Sequence, residues 1–375
     1  GRALRRPFHA FITRALHFVL GRKYAIRLAR FLDRVLVCRN DYEDLFVKYS
    51  PNVIVCANLF DEKELHLLRE AKRRGVPTVG YINSWDKVTA RAVLRDLPDQ
   101  FIVFNETIRG ELVVHHAVPR KRIAVCGIPQ YDFFFRPNAI AESAALYGQR
   151  IRTLRSREEF LRALGLGAGE RLVCYAPMGA RFSECDFDMI DVLCAFEKDG
   201  SMGGAKLFVR FPPNDAVDKT ELVRRPNLRC YLPGIRFSAK RGADWDMSFE
   251  DMLLLHETLA YASAVVGYAS SIAVDAALFG VPFVGVDFET RVVLDSRRAP
   301  TEYYKMHHFQ KALATGSIAL ASSPSALADE IARALAHPEE RAAARKCLVE
   351  MQCAFTDGRA SERVAAVISR AARGL

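Results

Sequence analysis

No CxxC pair occurs among the nine cysteines of this 375-residue chain. Without that spacing there is no zinc ribbon or redox dithiol to build on. Cys38, Cys56, Cys126 and Cys174 lie in or beside apolar runs, so they read as reduced core residues of a cytosolic protein. No run approaches the roughly 20 apolar residues that a membrane span needs. The most apolar stretch near the start, Phe8 to Leu20, is broken by His9, Thr13, Arg14 and His17. Low-complexity tracts and fixed-period repeats are also lacking.

Acidic residues are scarce at one end. Between Gly1 and Arg39, ten basic residues face the single acid Asp33, so this segment holds nine of the ten net positive charges. The remainder is nearly neutral, and no aromatic and basic strand pair accompanies the charge, which argues against a nucleic-acid partner. Phe8, Phe11, Ile12, Leu16, Phe18, Val19 and Leu20 supply an apolar face. Two readings stay open for residues 1–39: peripheral contact with an anionic membrane surface, at the inner face of the plasma membrane, or a helical hairpin packed on the first domain with its charges in water.

Half the residues are hydrophobic, and the length suffices for two buried α/β cores. Strand-like runs NVIVCA, PTVGYI, QFIVFN and RIAVCG alternate with helical patterns at Asp61 to Arg74, Lys87 to Arg95 and Glu106 to His116. That alternation predicts a parallel sheet. A second series, RLVCYAP, KLFVRFPP, LRCYLPG, AVVGY, PFVGVDF and SIALAS, predicts another, with helices at Ser325 to Ala336, Glu339 to Ala354 and Ala360 to Ala372 closing the chain. The expected division is a basic helical segment 1–50, a first Rossmann-like domain 51–135, a helical linker 136–169, a second Rossmann-like domain 170–355 and a C-terminal helix 356–375. The linker carries Arg150, Arg152, Arg155 and Arg157. A doubly wound domain ordinarily opens on a strand, yet the first convincing one follows some fifty residues and the chain has no initiating Met. A truncated first domain is therefore expected.

The segment Ala264 to Glu289 reads as strand, turn, helix and strand, with Ser270 and Ser271 at the corner and Gly280 as a stop. A helix opening on two serines after a buried parallel strand aims N–H groups and hydroxyls out of the sheet's carboxyl edge, where a phosphate can sit. Ordinary helix capping explains one of the two serines equally well. Three further turns are expected on the same edge: Ala176 to Arg181, with Gly179 and Arg181; Arg210 to Asp215; and Pro233-Gly234-Ile235, whose backbone can receive a base ring. Asp275 follows the serines by one turn. Two arginines and a helix N-terminus suit a departing nucleotide diphosphate without a metal.

These residues carry a family resemblance. YAP-x-x-x-R at Tyr175 to Arg181, R-x-P-P-N-D at Arg210, and Y-x-S-S-x-x-x-D-x-x-x-x-G-x-P at Tyr268 to Pro282 resemble the donor domain of two-domain glycosyltransferases of the GT-B fold. The nearest branch holds CDP-glycerol glycerophosphotransferases and related capsule and surface-polysaccharide enzymes. NSWDKVTAR at Asn83, PDQFIVFNE at Pro98, VCGIPQYDFF at Val125 and the tail from Asp357 to Arg363 are similar to the acceptor-side and linker segments of such proteins. The resemblance spans about Asn52 to Arg370. It implies an α/β fold of two doubly wound domains facing a cleft, the first on the acceptor side and the second binding a nucleotide-diphosphate-linked donor, with a saccharide or lipid-linked acceptor and no cofactor. Two departures stand out. The branch usually carries a His-Pro pair where this chain has Phe211-Pro212, and its first strands have no counterpart here.

Transfer to a hydroxyl needs a base. Asp86, on a loop after a strand, and Glu106, in the first turn of a helix, are the candidates, with helix capping the alternative for each. Glu250 and Asp251 open a helix, where acids suit the dipole; contact with a donor ribose is the sharper reading. His256 sits in an amphipathic helix as a structural residue, and the pairs His115-His116 and His307-His308 lack a third ligand, so no metal site is expected. Three functions fit: an envelope-polysaccharide transferase, which leads; an isomerase of the UDP-sugar 2-epimerase type; and a non-catalytic binding or scaffold protein.

Overall fold

The computed structural model describes residues 23–37, 41–136, 138–213, 215–237 and 245–374. Most of the basic N-terminal segment, Cys38 and Asn214 therefore lie outside the described residues. The chain divides into two units, Gly1–Asp132 with Met351–Leu375, and Phe133–Glu350.

The first unit holds β1 (Ile54–Cys56), β2 (Thr78–Tyr81), β3 (Gln100–Val103) and β4 (Ile123–Val125), all parallel and in chain order across the sheet. Side chains alternate between faces. On β3, Phe101 and Val103 join Leu68, Ile108 and Leu112 from the Glu62–Arg73 and Glu106–His115 helices. Ile102 points the other way, to Val79, Cys126, Val367 and Ala371. The second face is thus closed by the Ala360–Ala372 helix, which packs on β2 and β3. Asp132 fastens its start, accepting from the N–H groups of Ala360 (2.9 Å) and Ser361 (2.8 Å).

Where the sequence pattern predicts a helix from Lys87 to Arg95, the structure ends it at Ala90, with Arg91 extended. Burial of Leu94 and its neighbours' ionic contacts override local propensity. The Leu94 N–H donates to His116 Nδ1 (3.1 Å), its carbonyl accepts from Arg30 Nε (2.8 Å), and Asp96 takes Lys72 Nζ (2.6 Å) and Arg34 Nη2 (2.8 Å). Through Arg30, Arg34 and Asp33, the Lys23–Leu36 helix is docked on this unit, Asp33 pairing with Arg69 and with Arg95 (2.8 Å). Arg30 is buried there rather than left in water.

The second unit holds β5 (Leu172–Ala176), β6 (Lys206–Arg210), β7 (Cys230–Tyr231), β8 (Ile235–Arg236), β9 (Trp245–Asp246), β10 (Ala264–Gly267), β11 (Phe283–Val286) and β12 (Ile318–Ala321). Six of them form a parallel sheet in the order β12-β11-β10-β5-β6-β7. The order reverses between β5 and β10, in register from Ala264 opposite Val173 to Gly267 opposite Ala176. Each of the ten segments expected to be strands carries one. The short antiparallel pair β8-β9 has no counterpart in the sequence reading, because two-residue strands are too short to show alternation. The Asn138–Leu146 and Arg157–Ala163 helices, expected in a linker, pack in this unit against the Phe249–Tyr261 helix. Cys56, Cys126, Cys174, Cys185 and Cys353 are buried and outside any disulfide.

Asp132→Ala should destabilise the first unit by about 1–3 kcal/mol, because the buried Ala360 N–H and the neighbouring Ser361 N–H lose their acceptor. Urea denaturation, with loss of Ala360–Ala372 amide protection, measures it.

Candidate functional site

In an open α/β sheet the ligand crevice lies beyond the carboxyl ends of the strands, at the point where strand order reverses. Here that point is the β5/β10 boundary, and Gly179, Arg181, Ser270 and Ser271 all leave from it. Ser271 occupies the cap position of the Ile272–Leu278 helix, but its side chain makes no capping bond. Neither serine hydroxyl has a partner among the described residues. Asp275, one turn on, is half-buried.

Arg210 ends β6, next to β5. The period of two sends Leu207, Val209 and Phe211 to one face of the sheet, in the cluster with Tyr175 and Met189, and Arg210 to the other. Its side chain is only 7% exposed, and Nε and Nη2 have no hydrogen-bond partner. Desolvation lowers its pKa, against the opposing fields of Cys174, Asp251 and Asp275. Asp251 does not neutralise it by contact. Its carboxylate accepts from Tyr231 OH (2.5 Å), Gly234 N–H (3.3 Å), and the Ser248 N–H and hydroxyl (2.8 Å each), forming a capping box on the Phe249–Tyr261 helix. Burial, then the bond to Asp251, pushes Tyr231 up to about 12. The expectation of a ribose contact at Asp251 thus meets a carboxylate already filled, and Glu250 is paired with Arg152 Nε (2.9 Å).

The turn from Ala176 to Arg181 differs from the flexible cradle expected of it. Gly179, at φ +93°, donates its N–H to Asp186 Oδ2 (2.7 Å), and Ala180 donates to Asp215 (3.0 Å). A Cβ on Gly179 would stand 3.1 Å from the Asp215 carboxyl carbon, so a side chain there is crowded by that carboxyl and strained by the positive φ. These N–H groups are consumed by the protein's own carboxylates. Arg181 is exposed, over the Phe182 ring at 5.3 Å. Pro233 is buried, while Ile235 is exposed on β8.

Beside this turn lies a cavity of about 440 Å³ that takes in Ala180, Phe211 and Asp215 of the expected turns but not Gly179, Arg181, Arg210 or the serine corner. Glu184, Asp186, Asp188, Asp215, Asp218 and Glu221 line it with Arg291 and Arg298. Two of the six carboxylates are matched within the lining: Asp188 pairs with Arg291, and Glu184 with Arg298 (2.8 Å). Such walls repel a bare phosphate and accept hydroxyls. The carboxylates were hard to single out beforehand, since acids in a first helical turn look like dipole partners. Phe211, standing for the histidine of the resembling branch, is buried against Phe187 with ring centroids 6.0 Å apart.

In the first unit, Asp86 precedes the Lys87–Ala90 helix without making a side-chain cap; Ser84 donates its hydroxyl to that carboxylate. Lys87 Nζ bridges Asn58 Oδ1 (3.0 Å) and Asn83 Oδ1 (2.6 Å) beside it. Glu106 is exposed and held by Arg109 and by Arg120 (3.0 Å), the cap there being Asn105. His116 is buried, accepting from Leu94 and donating Nε2–H to the Val88 carbonyl (2.9 Å). His256 packs between Phe134 and Phe279. Among the described residues no cluster of His, Cys, Asp and Glu could hold a metal ion.

With the geometry in view, the fold can be placed among known structures. The chain aligns with a UDP-N-acetylglucosamine 2-epimerase from Listeria monocytogenes, at 13% identity and a TM-score of 0.56 over 88% of this chain and 77% of that one. It aligns with the Neisseria meningitidis UDP-GlcNAc 2-epimerase bound to UDP-GlcNAc, at 11% identity and 0.54 over 87% and 78%. The wall teichoic acid polymerase TagF aligns over 98% of both chains at 13% identity, with a TM-score of 0.49, too low to argue from. No family model and no curated protein matches the sequence. The chain thus shares the fold of these two epimerase structures, a Rossmann-like α/β fold of the GT-B type that the motifs implied. At these identities the likeness establishes the fold alone.

Burial raises Asp186 from 3.8 to about 6, against the N–H bonds of Gly179 and Met178 that oppose the shift. A carboxyl raised in the folded state binds its proton more tightly there, so its stabilising contribution is full below about pH 4 and lost as pH rises through about 6. Relative to Asp186→Asn, the wild type should lose on the order of 2–3 kcal/mol between those limits. Urea melts of both proteins across that window measure it.

Proposed function

We propose that this protein is a transferase of cell-envelope polysaccharide synthesis, moving a glycosyl or glycerophosphoryl unit from a nucleotide-diphosphate-activated donor to a saccharide or lipid-linked acceptor at the cytoplasmic face. One observation carries the reading: Arg210, buried and without a hydrogen-bond partner for Nε and Nη2, beside the strand-order reversal that bears the open hydroxyls of Ser270 and Ser271. A buried unpaired guanidinium is strongly unfavourable alone. A phosphate offers it bidentate acceptors, and the serine hydroxyls and exposed Arg181 add donors to the same anion.

On this reading the acceptor hydroxyl forms the new bond as the bond to the nucleotide breaks. The leaving group is a nucleoside diphosphate when a glycosyl unit moves, and a monophosphate when a glycerophosphoryl unit moves. Arg210 meets the negative charge of that leaving group, so the step does not depend on a metal. Asp86 takes the acceptor proton. Glu106 is the weaker choice because two guanidiniums already hold it. The carboxylate-walled cavity beside Gly179 suits the hydroxyls of the transferred unit, and Ile235 offers an apolar seat for the base.

Isothermal titration with CDP, UDP, GDP and their sugar or glycerol conjugates tests the donor site. Selective micromolar binding of one nucleotide is expected, with Arg210→Met weakening it on the order of a hundredfold. Ser271→Ala combined with Arg181→Ala should abolish binding without unfolding the second unit. Unchanged affinity in these variants would remove the phosphate site. Asp86→Asn should lower turnover by about 10²- to 10⁴-fold while leaving nucleotide affinity intact. Conversion of a UDP-sugar with no acceptor present would put an isomerase in the transferase's place.

A further inference from the structure

Arg345, in the Ala342–Cys353 helix, is a second buried guanidinium of the second unit without a counter-charge, and the donor site does not use it. Its side chain is only 5% exposed. Nη1 donates to the Glu340 carbonyl (2.7 Å) and Nη2 to the Pro338 carbonyl (2.5 Å), both neutral acceptors, while Nε has no hydrogen-bond partner. Burial lowers its pKa, and no carboxylate field opposes the shift. The Glu340 carboxylate, close in sequence, is taken by Arg333 Nε (2.8 Å).

A cavity of about 20 Å³ lies against this side chain, and Glu330, Arg333, Glu340 and Arg341 line it beside the His337 imidazole. Its floor includes Pro282 and Ser317, the residues that lead into β11 and β12. It therefore sits at the amino edge of the parallel sheet, whereas Arg210 and the Ser270-Ser271 corner lie at the carboxyl edge. Arg341 donates Nη1 to the Gly316 carbonyl (2.9 Å) and pairs with no carboxylate among the described residues. Three guanidiniums thus meet two carboxylates, an excess of one positive charge.

We propose that this cavity is a binding site for one small monovalent inorganic anion, of the size of chloride. Volume and charge agree on that class. The space suits a single small ion or a water and is far too small for a sugar or a base. A water can satisfy a donor but leaves the charge of Arg345 unbalanced, and an unbalanced buried charge is costly. A phosphate group brings more negative charge than the excess matches, against the carboxylates of Glu330 and Glu340. An anion held here ties the Pro324–Ala336 helix, which carries Arg333, to the Ala342–Cys353 helix, and stabilises the folded second unit by mass action.

Thermal melts of the full chain in sodium gluconate, whose anion is too large for the cavity, and in sodium chloride or bromide at the same ionic strength test the site. Chloride and bromide should raise the midpoint of the second unit saturably, on the order of 2–4 °C. Arg345→Met should erase that increment, whatever the lost carbonyl contacts do to the midpoint in gluconate, and Arg345→Lys should restore part of it. Arg341→Met, which leaves both carbonyl contacts of Arg345 in place, should reduce the increment too, and Arg210→Met should leave it whole. Four results overturn the proposal: no increment in the wild type, an increment that survives both Arg345→Met and Arg341→Met, one that Arg210→Met removes, which would put the anion in the donor site, or a larger increment from phosphate or sulfate than from chloride.

Discussion

A parallel sheet has to be covered on both faces, because its strands are joined by crossovers that lay helices across it, and its edges meet water only at the strand ends. In the second unit this requirement sets the position of every loop of interest. β5 and β10 are neighbours although the chain visits β6, β7, the β8-β9 pair and three helices between them. The Gly179 turn and the Ser270-Ser271 corner both leave from this reversal, where the general rule for open α/β sheets puts a ligand crevice. The first unit meets the same requirement differently. Its four strands run in chain order, with helices from the crossovers on one face, so the other face is closed by residues from the far end of the chain.

Against this background the treatment of buried charge is telling. Glu257 is fully buried, and Arg152 and Arg155 enclose it, with Arg155 Nη2 at 2.6 Å. Asp96 is met by Lys72 and Arg34. Both obey the rule that a charge taken out of water is paired. Arg210 breaks it in the same unit as Glu257, at a strand end pointing away from the Phe211 cluster. A departure from the rule that Glu257 and Asp96 obey is where function is to be sought. Phe211, where the resembling branch carries a histidine, is an aromatic ring sealed against Phe187, and the Arg210 guanidinium lies on the opposite face of the sheet.

Much of the fold was legible from the chain alone. Alternation on β3 and the near-continuous apolar runs of β5 and β10 announce parallel strands, and the two-serine corner lay where the order reverses. The site was legible in kind but not in state. Ser270 and Ser271 look like caps on paper, yet neither hydroxyl is used as one, and Asp251, which looks available, is filled by four donors. The backbone at Gly179 and Ala180 seemed open and is occupied by Asp186 and Asp215. None of these outcomes follows from spacing, since each depends on which side chain, distant in sequence, arrives at the donor first.

Residue order by itself determined the strand and helix content, the two-core organisation and the residue types that gather at the carboxyl edge, because these follow from periodicity and backbone preference over short windows. Tertiary structure alone decided which charges are paired, where the helix after Asp86 stops, and which face of the Lys23–Leu36 helix looks outward. Those properties arise from contacts between residues separated by tens to hundreds of positions, such as Asn105 with Gln352 or Arg30 with His116. Their energies are set by burial and partner geometry, which no local pattern contains.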